Sequence, residues 1–168
     1  SGNGYHDHGW STIKMPTFVK RWYTVRLFHD NYTIIAHRIH LQDRFGGGTI
    51  DMGILAHDGK IVGTSRNLRY RPTSWREDSN SGYRVPAVTE LGMQTGGYRV
   101  SGRFSESRFV DSIDVLGQVS WPVRAVIRAF YTKPFMLRFM SDYELEITSR
   151  DGETEQITGQ AIMEANYY

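Results

Sequence analysis

The chain has 168 residues, 39% of them hydrophobic and 23% charged, which is enough apolar material for one packed domain and too much for a disordered chain. A net charge of +2 argues against a polyanionic partner, and the absence of cysteine excludes disulfide and thiolate chemistry. No apolar run approaches the roughly 20 residues of a membrane-spanning helix, and no leader of the signal type is visible at the start, which favours a cytoplasmic location while the residues leave the compartment open.

In chain order, the dominant hydrophobic period is two, the mark of strands. Arg21–Phe28 alternates, with Tyr23, Val25 and Leu27 on one face, and His29-Asp30-Asn31 reads as a turn into a returning strand over Thr33–Leu41. Gly46-Gly47-Gly48 is a loop or bulge signal. Ile50–Ala56 and Lys60–Ser65 flank His57-Asp58-Gly59, a strong hairpin turn. Asn67–Pro86 is polar, Arg-rich and broken by two prolines, so an irregular flap over a pocket is expected there. A cluster of Arg66, Arg69, Arg71 and Arg76 is followed by Glu77 and Asp78 and carries no nucleic-acid motif.

Val88–Thr95 and Tyr98–Phe104 flank Gly96-Gly97 as a further hairpin, and Arg108–Val115 is another strand. Residues 120–130 fit either a short helix or a bent strand after Trp121-Pro122, and Phe135–Arg150 and Gln156–Tyr168 form the last pair around Asp151-Gly152. Eight to ten strands joined in sequence order describe a meander, and a meander of that length closes to remove its free edges. The expected fold is therefore all-β: one antiparallel up-and-down barrel of lipocalin type, residues 1–168, with room for one short helix near residues 121–130. Barrels of this size can enclose a small apolar ligand.

The most unusual segment is the opening, Gly4-Tyr5-His6-Asp7-His8-Gly9-Trp10. In extended form His6, His8 and Trp10 share one face, and Tyr5 and Asp7 share the other. This motif, from Gly2 to Trp10, resembles the one that opens the second domain of the carotenoid 1,2-hydratase (hydroxyneurosporene synthase) and AttH-like family; lipocalin-like Diels–Alderases are similar. Weaker likeness continues through Trp22-Tyr23, Asp58-Gly59, Tyr83–Pro86 and the ending Gly159–Tyr167. Ser11 departs from the glycine that the family usually has after the tryptophan.

The resemblance implies the second of two tandem lipocalin-like domains, with the N-terminal one not in this chain. It also implies cofactor-free chemistry on an isoprenoid or polyene: hydration, cyclisation or pericyclic closure. Protonating an alkene needs an acid still protonated near neutral pH, and the resulting cation needs aromatic faces. His8 beside Trp10 fits that pairing, with Asp7 orienting it from the other face. Asp30 lies where the family can supply an acidic pocket residue, although an Asp in a turn also bonds its own backbone. The catalytic candidates are thus His8, Asp7 and Asp30, and the substrate-binding candidates are Tyr5, His6, Trp10, Trp22, His37 and Arg38. On the Thr33–Leu41 strand one face carries His37 and the other Arg38 and His40, and the pattern leaves open which looks inward. Buried structural roles compete with each of these assignments.

A non-catalytic carrier of hydrophobic ligands is the rival function. A metalloenzyme is third: His6 and His8 would sit about 7 Å apart on one strand face. That site lacks a sequence-local third ligand, for which His37, His40 and Glu164 are candidates. No metal or cofactor is expected. Hydrolase and phosphate-loop readings fail for want of Gly-x-Ser-x-Gly and of a Lys-Ser/Thr pair after the glycines.

Overall fold

A computed structural model describes residues 12, 14–117, 119–130 and 133–168. A four-residue helix, α1 (Met15–Phe18), leads into β1 (Val19–His29) and β2 (Tyr32–Leu41), followed by β3 (Thr49–His57) and β4 (Lys60–Ser65). The second half holds β5 (Leu68–Glu77), β6 (Arg84–Thr95), β7 (Tyr98–Asp114), helix α2 (Trp121–Phe130), β8 (Phe135–Thr148) and β9 (Thr154–Tyr167). The turn signals are obeyed. Asp58 and Gly59 both take positive φ, 50° and 70°, a backbone twist that matches the right-handed twist of flanking strands.

All nine strands form one antiparallel sheet in the order β4-β3-β2-β1-β9-β8-β7-β6-β5. The ring is therefore joined through its first and last strands, with Arg21 opposite Tyr167 and Arg26 opposite Ile162. Its seam falls between β4 and β5, where no ladder runs, and side chains and turns close it instead. Thr95 Oγ1 donates to Thr64 O at 2.8 Å. The β6–β7 turn packs so tightly on β4 that a Cβ on Gly96 would lie 2.1 Å from Val62 O.

The inward faces of the strands supply the core. Val25, Leu27, Ile34, Ala36, Leu55, Leu137, Phe139, Met163 and Ala165 are all buried and interlock across the ring. Each large side chain removed from water contributes roughly 1.5–3 kcal/mol.

The expected strands of the first half and of the C-terminal pair are present within a few residues. Three expectations change. Residues 67–86 are not mainly a flap: Leu68–Glu77 is a strand paired to β6, and only the stretch from 78 to 83 is irregular. Pro72 misled because proline is tolerated on an edge strand, and β5 borders the seam, with register shifts on either side of Ser74. Tyr98–Phe104 and Arg108–Val115 merge into one 17-residue strand, bulged between Glu106 and Arg108 and again between Phe109 and Asp111. The ambiguous segment is helix, with Pro122 in its first turn, where a missing N–H costs nothing.

Candidate ligand-binding end of the barrel

The end of the barrel where β1 begins and β9 finishes carries a cluster of rings and polar groups. Alternation along β1 points Tyr23 inward with Val25 and Leu27, and pairing then places Arg38 beside Tyr23 and Ala36 beside Val25. Arg38 and His40 thus occupy the inner face, which settles the orientation of β2.

Tyr23 stacks on Tyr70 at 5.6 Å and meets His40, Trp75 and Tyr167 edge-on at 5.6, 6.5 and 6.4 Å. Tyr167 stacks in turn on Tyr83 at 4.2 Å. Tyr167 Oη donates to Arg84 O at 2.5 Å and Tyr83 Oη to Lys133 O at 2.8 Å, which ties β9, β6 and the start of β8 together. The guanidinium of Arg21 lies 5.8 Å from the Tyr23 ring centre, and that of Arg84 lies 5.8 Å from Trp75.

Burial sets the protonation states. It raises the pKa of Tyr23, Tyr70 and Tyr167 above that of a free phenol, so all three are neutral donors. Burial also lowers His40 to about 4, aided by the nearby cations Arg21 and Arg38, so this imidazole is neutral near pH 7. Tyr23 Oη, Tyr70 Oη and Thr89 Oγ1 are buried and reach no partner at hydrogen-bond geometry. Tyr70 and Thr89 are neighbours. The result is a buried aromatic cluster that carries neutral hydroxyls.

Over the same end lies a gap of about 390 Å³ between α1, the β7–α2 connection, α2 and the start of β8. Pro16, Leu116, Ile127 and Pro134 give it an apolar lining, with Lys14 and Arg44 at its edge.

Among the described candidates only Arg38 comes to this cluster, and it is anchored there. It donates Nε and a terminal nitrogen to the two oxygens of Asp51, both at 2.7 Å, and reaches Tyr70 O at 2.5 Å and Leu68 O at 2.8 Å. A bidentate ion pair plus two carbonyls on β5 make it a clasp across the seam.

Trp22 and His37 lie on the opposite, outer face. Trp22 Nε1 donates to His37 Nδ1 at 3.1 Å, so the ring proton of His37 belongs on Nε2, and Thr24 Oγ1 sits 3.1 Å from the same nitrogen. His37 is 9% exposed even there. Asp30 stands at the far end of the barrel in the β1–β2 turn, its side chain 89% exposed and 3.7 Å from His29 Nε2. Tyr5, His6, Asp7, His8 and Trp10 lie outside the described residues. Of the proposed third metal ligands, His37 and His40 face opposite sides of β2, and Glu164 is paired with Arg26 at 2.9 Å. Among the described residues no group of three or more His, Asp or Glu has metal-binding geometry.

Sequence reasoning missed most of the cluster: Arg21, Tyr23, Tyr70, Trp75, Tyr83 and Tyr167. Tyr23 carried a usable signal in its alternation with Val25 and Leu27. Tyr70, Trp75 and Tyr83 were hidden inside the segment expected to be irregular.

The fold defines a lipocalin-like barrel, and comparison with solved structures agrees. Over 91% of its length the chain superposes on CghA in complex with Sch210972, with a TM-score of 0.60, 14% identity and 42% of that chain covered. Over 95% it superposes on a putative AttH from Nitrosomonas europaea, with a TM-score of 0.56, 15% identity and again 42% coverage. Residues 11–167 match the Svf1 family, and the chain belongs to it. A curated relative, the ceramide-binding protein SVF1 of Yarrowia lipolytica, is 21% identical over 98% of this chain and 44% of its own length. The chain thus spans less than half of the relatives it matches. The AttH-like part of the sequence resemblance holds at the level of fold; the family is Svf1, and these relatives lend the hydratase reading no support.

Proposed function

We propose that this barrel binds a neutral, long-chain amphiphile of the ceramide type and acts as a carrier rather than a catalyst. The observation that carries the reading is the aromatic cluster itself, which sets neutral buried hydroxyls among packed rings at the end of the barrel where the apolar gap lies. A ceramide head offers an amide and two hydroxyls, all uncharged, which suit phenols held neutral by burial and an unprotonated His40. Its hydrocarbon chains suit the walls of Pro16, Leu116, Ile127 and Pro134. The ceramide-binding relative aligned along nearly the whole chain supports the same ligand class.

The opening motif is proposed as a further part of the ligand wall, through Tyr5, His6, His8 and Trp10. A second lipocalin-like domain is proposed to complete the longer protein, as the 44% coverage of the relative suggests. The catalytic reading, with His8 as proton donor and Asp7 and Asp30 in support, draws nothing from the described residues, since Asp30 is exposed at the far end.

The test is titration of the chain with a fluorescent short-chain ceramide, followed by competition with natural ceramide and with a polyene. Ceramide should displace the probe, and Tyr70→Phe should weaken binding about 2- to 10-fold, the worth of one hydrogen bond. His8→Ala and Trp10→Ala report on the opening motif. No binding, or preference for the polyene, would reject the proposal. Recovery of a chemically altered ligand by mass spectrometry would restore the enzymatic reading.

A further inference from the structure

Helix α2 is poorly explained as a piece of the barrel. Among its described side chains none is buried, and Trp121, Val123 and Val126 are 75%, 51% and 58% exposed. Among its described apolar side chains only Ile127 turns toward the gap over the barrel end. An isolated ten-residue helix is marginal in water, and this one leaves an indole and two valines in solvent.

Its charge is as one-sided as its exposure. From Val115 to Ser141 the sequence holds Arg124, Arg128, Lys133 and Arg138 and no acidic residue, within a chain whose net charge is only +2. Arg138 is engaged by Asp111, which leaves the positive charge centred on α2 and the residues just after it. Ile113 and Val115, immediately upstream, add two further exposed apolar side chains.

We infer that α2 is a docking helix for an anionic lipid bilayer surface. A short, strongly amphipathic, purely basic helix with an exposed tryptophan has the composition of an interfacial helix. The valines would enter the acyl boundary, the indole would sit at headgroup level, and Arg124 and Lys133 would meet anionic lipid. Charge complementarity selects this occupant over a second copy of the chain, because two copies would bring like charges together. Docked this way, the helix would set the apolar gap against the membrane, where a lipid can pass without crossing water. The docking does not depend on which ligand the barrel carries.

The experiment is flotation of the chain with vesicles that contain no ceramide, made of phosphatidylcholine alone or mixed with phosphatidylserine. The chain should float with the mixed vesicles and much less with the neutral ones, and added salt should release it. Arg124→Gln and Lys133→Gln should each weaken partitioning about five-fold. Trp121→Ser with Val126→Asp should abolish flotation, while circular dichroism and ceramide binding in detergent solution stay as in the parent chain. Equal flotation with both vesicle types, no flotation, or a double variant that still floats would overturn the inference. So would a concentration-dependent dimer that the double variant dissolves, since α2 would then cover a second copy. A chain that floats but ignores ceramide overturns only the ligand proposal, and one that binds ceramide but never floats overturns only this one.

Discussion

Arg38 shows how one side chain can hold a barrel shut. Its guanidinium binds Asp51 in bidentate fashion and reaches across to two carbonyls of β5, and the pair is largely sheltered from solvent. Removing one partner of a sheltered pair leaves the other charge uncompensated, at a cost of about 3 kcal/mol. Arg38→Met should therefore lower the melting temperature by roughly 10 °C for a domain of this size. Adding Asp51→Leu should recover part of that loss, because replacing both charges with apolar groups is often close to neutral. Denaturant unfolding of the two variants checks this, and equal stability of Arg38→Met and the parent chain would refute the clasp. His40 gives a second prediction at this scale. Its pKa is lowered from 6.5 unfolded to about 4 folded, so between those values the unfolded chain takes up a proton that the folded chain refuses. The stability contribution of neutral His40 is present above pH 6.5 and is lost as the pH falls toward 4. His40→Gln should flatten that slope in unfolding curves recorded across the window, and an unchanged slope would mean that His40 is not the group responsible.

At the scale of elements, the strands follow the period-two pattern, and the exceptions trace to position within the sheet. β5 accepts Pro72 because it borders the seam, and β7 runs 17 residues because two bulges absorb its changes of register. The β6–β7 turn matters more than a connection normally would. Gly96 has φ of 58° and sits against Val62 O, so any side chain there is both strained and obstructed by backbone. Gly96→Ala should destabilise by about 1–3 kcal/mol. It should also speed amide hydrogen exchange of the β4 and β6 residues nearest the seam. Gly152, in the β8–β9 turn, has φ of 86° but open space around its Cα, so Gly152→Ala carries the strain without the collision and is the milder control.

For the whole molecule, a sheet joined through its first and last strands makes β1–β9 pairing a condition of folding, and the seam a place where the ring can yield. A ligand that binds only the closed ring stabilises it by mass action, about 2.7 kcal/mol at a hundredfold excess over Kd. Short-chain ceramide at that excess should then raise the melting temperature by roughly 5–10 °C. The shift should shrink in Tyr23→Phe and Tyr70→Phe, whose rings remain but whose hydroxyls are gone. A shift of equal size in those variants would place the ligand elsewhere than the aromatic cluster.

By itself the sequence determined the class of fold, because period-two burial and turn residues such as Asp58-Gly59 are local signals that act within a few bonds. It also pointed to a family of lipocalin-like barrels, with AttH among the structures to which the chain is similar. Only the tertiary structure decided which face of β2 looks inward, since Ile35 and Ile39 make the outer face of that strand as apolar as the inner one. It alone placed Arg38 at the aromatic cluster, His37 and Trp22 on the outside and Asp30 at the far end. The cluster joins Tyr23, Tyr70, Trp75, Tyr83 and Tyr167 from three strands and a loop, residues up to 144 positions apart in the chain (23 to 167). Contacts at such separations depend on ring closure and register, which no local pattern encodes.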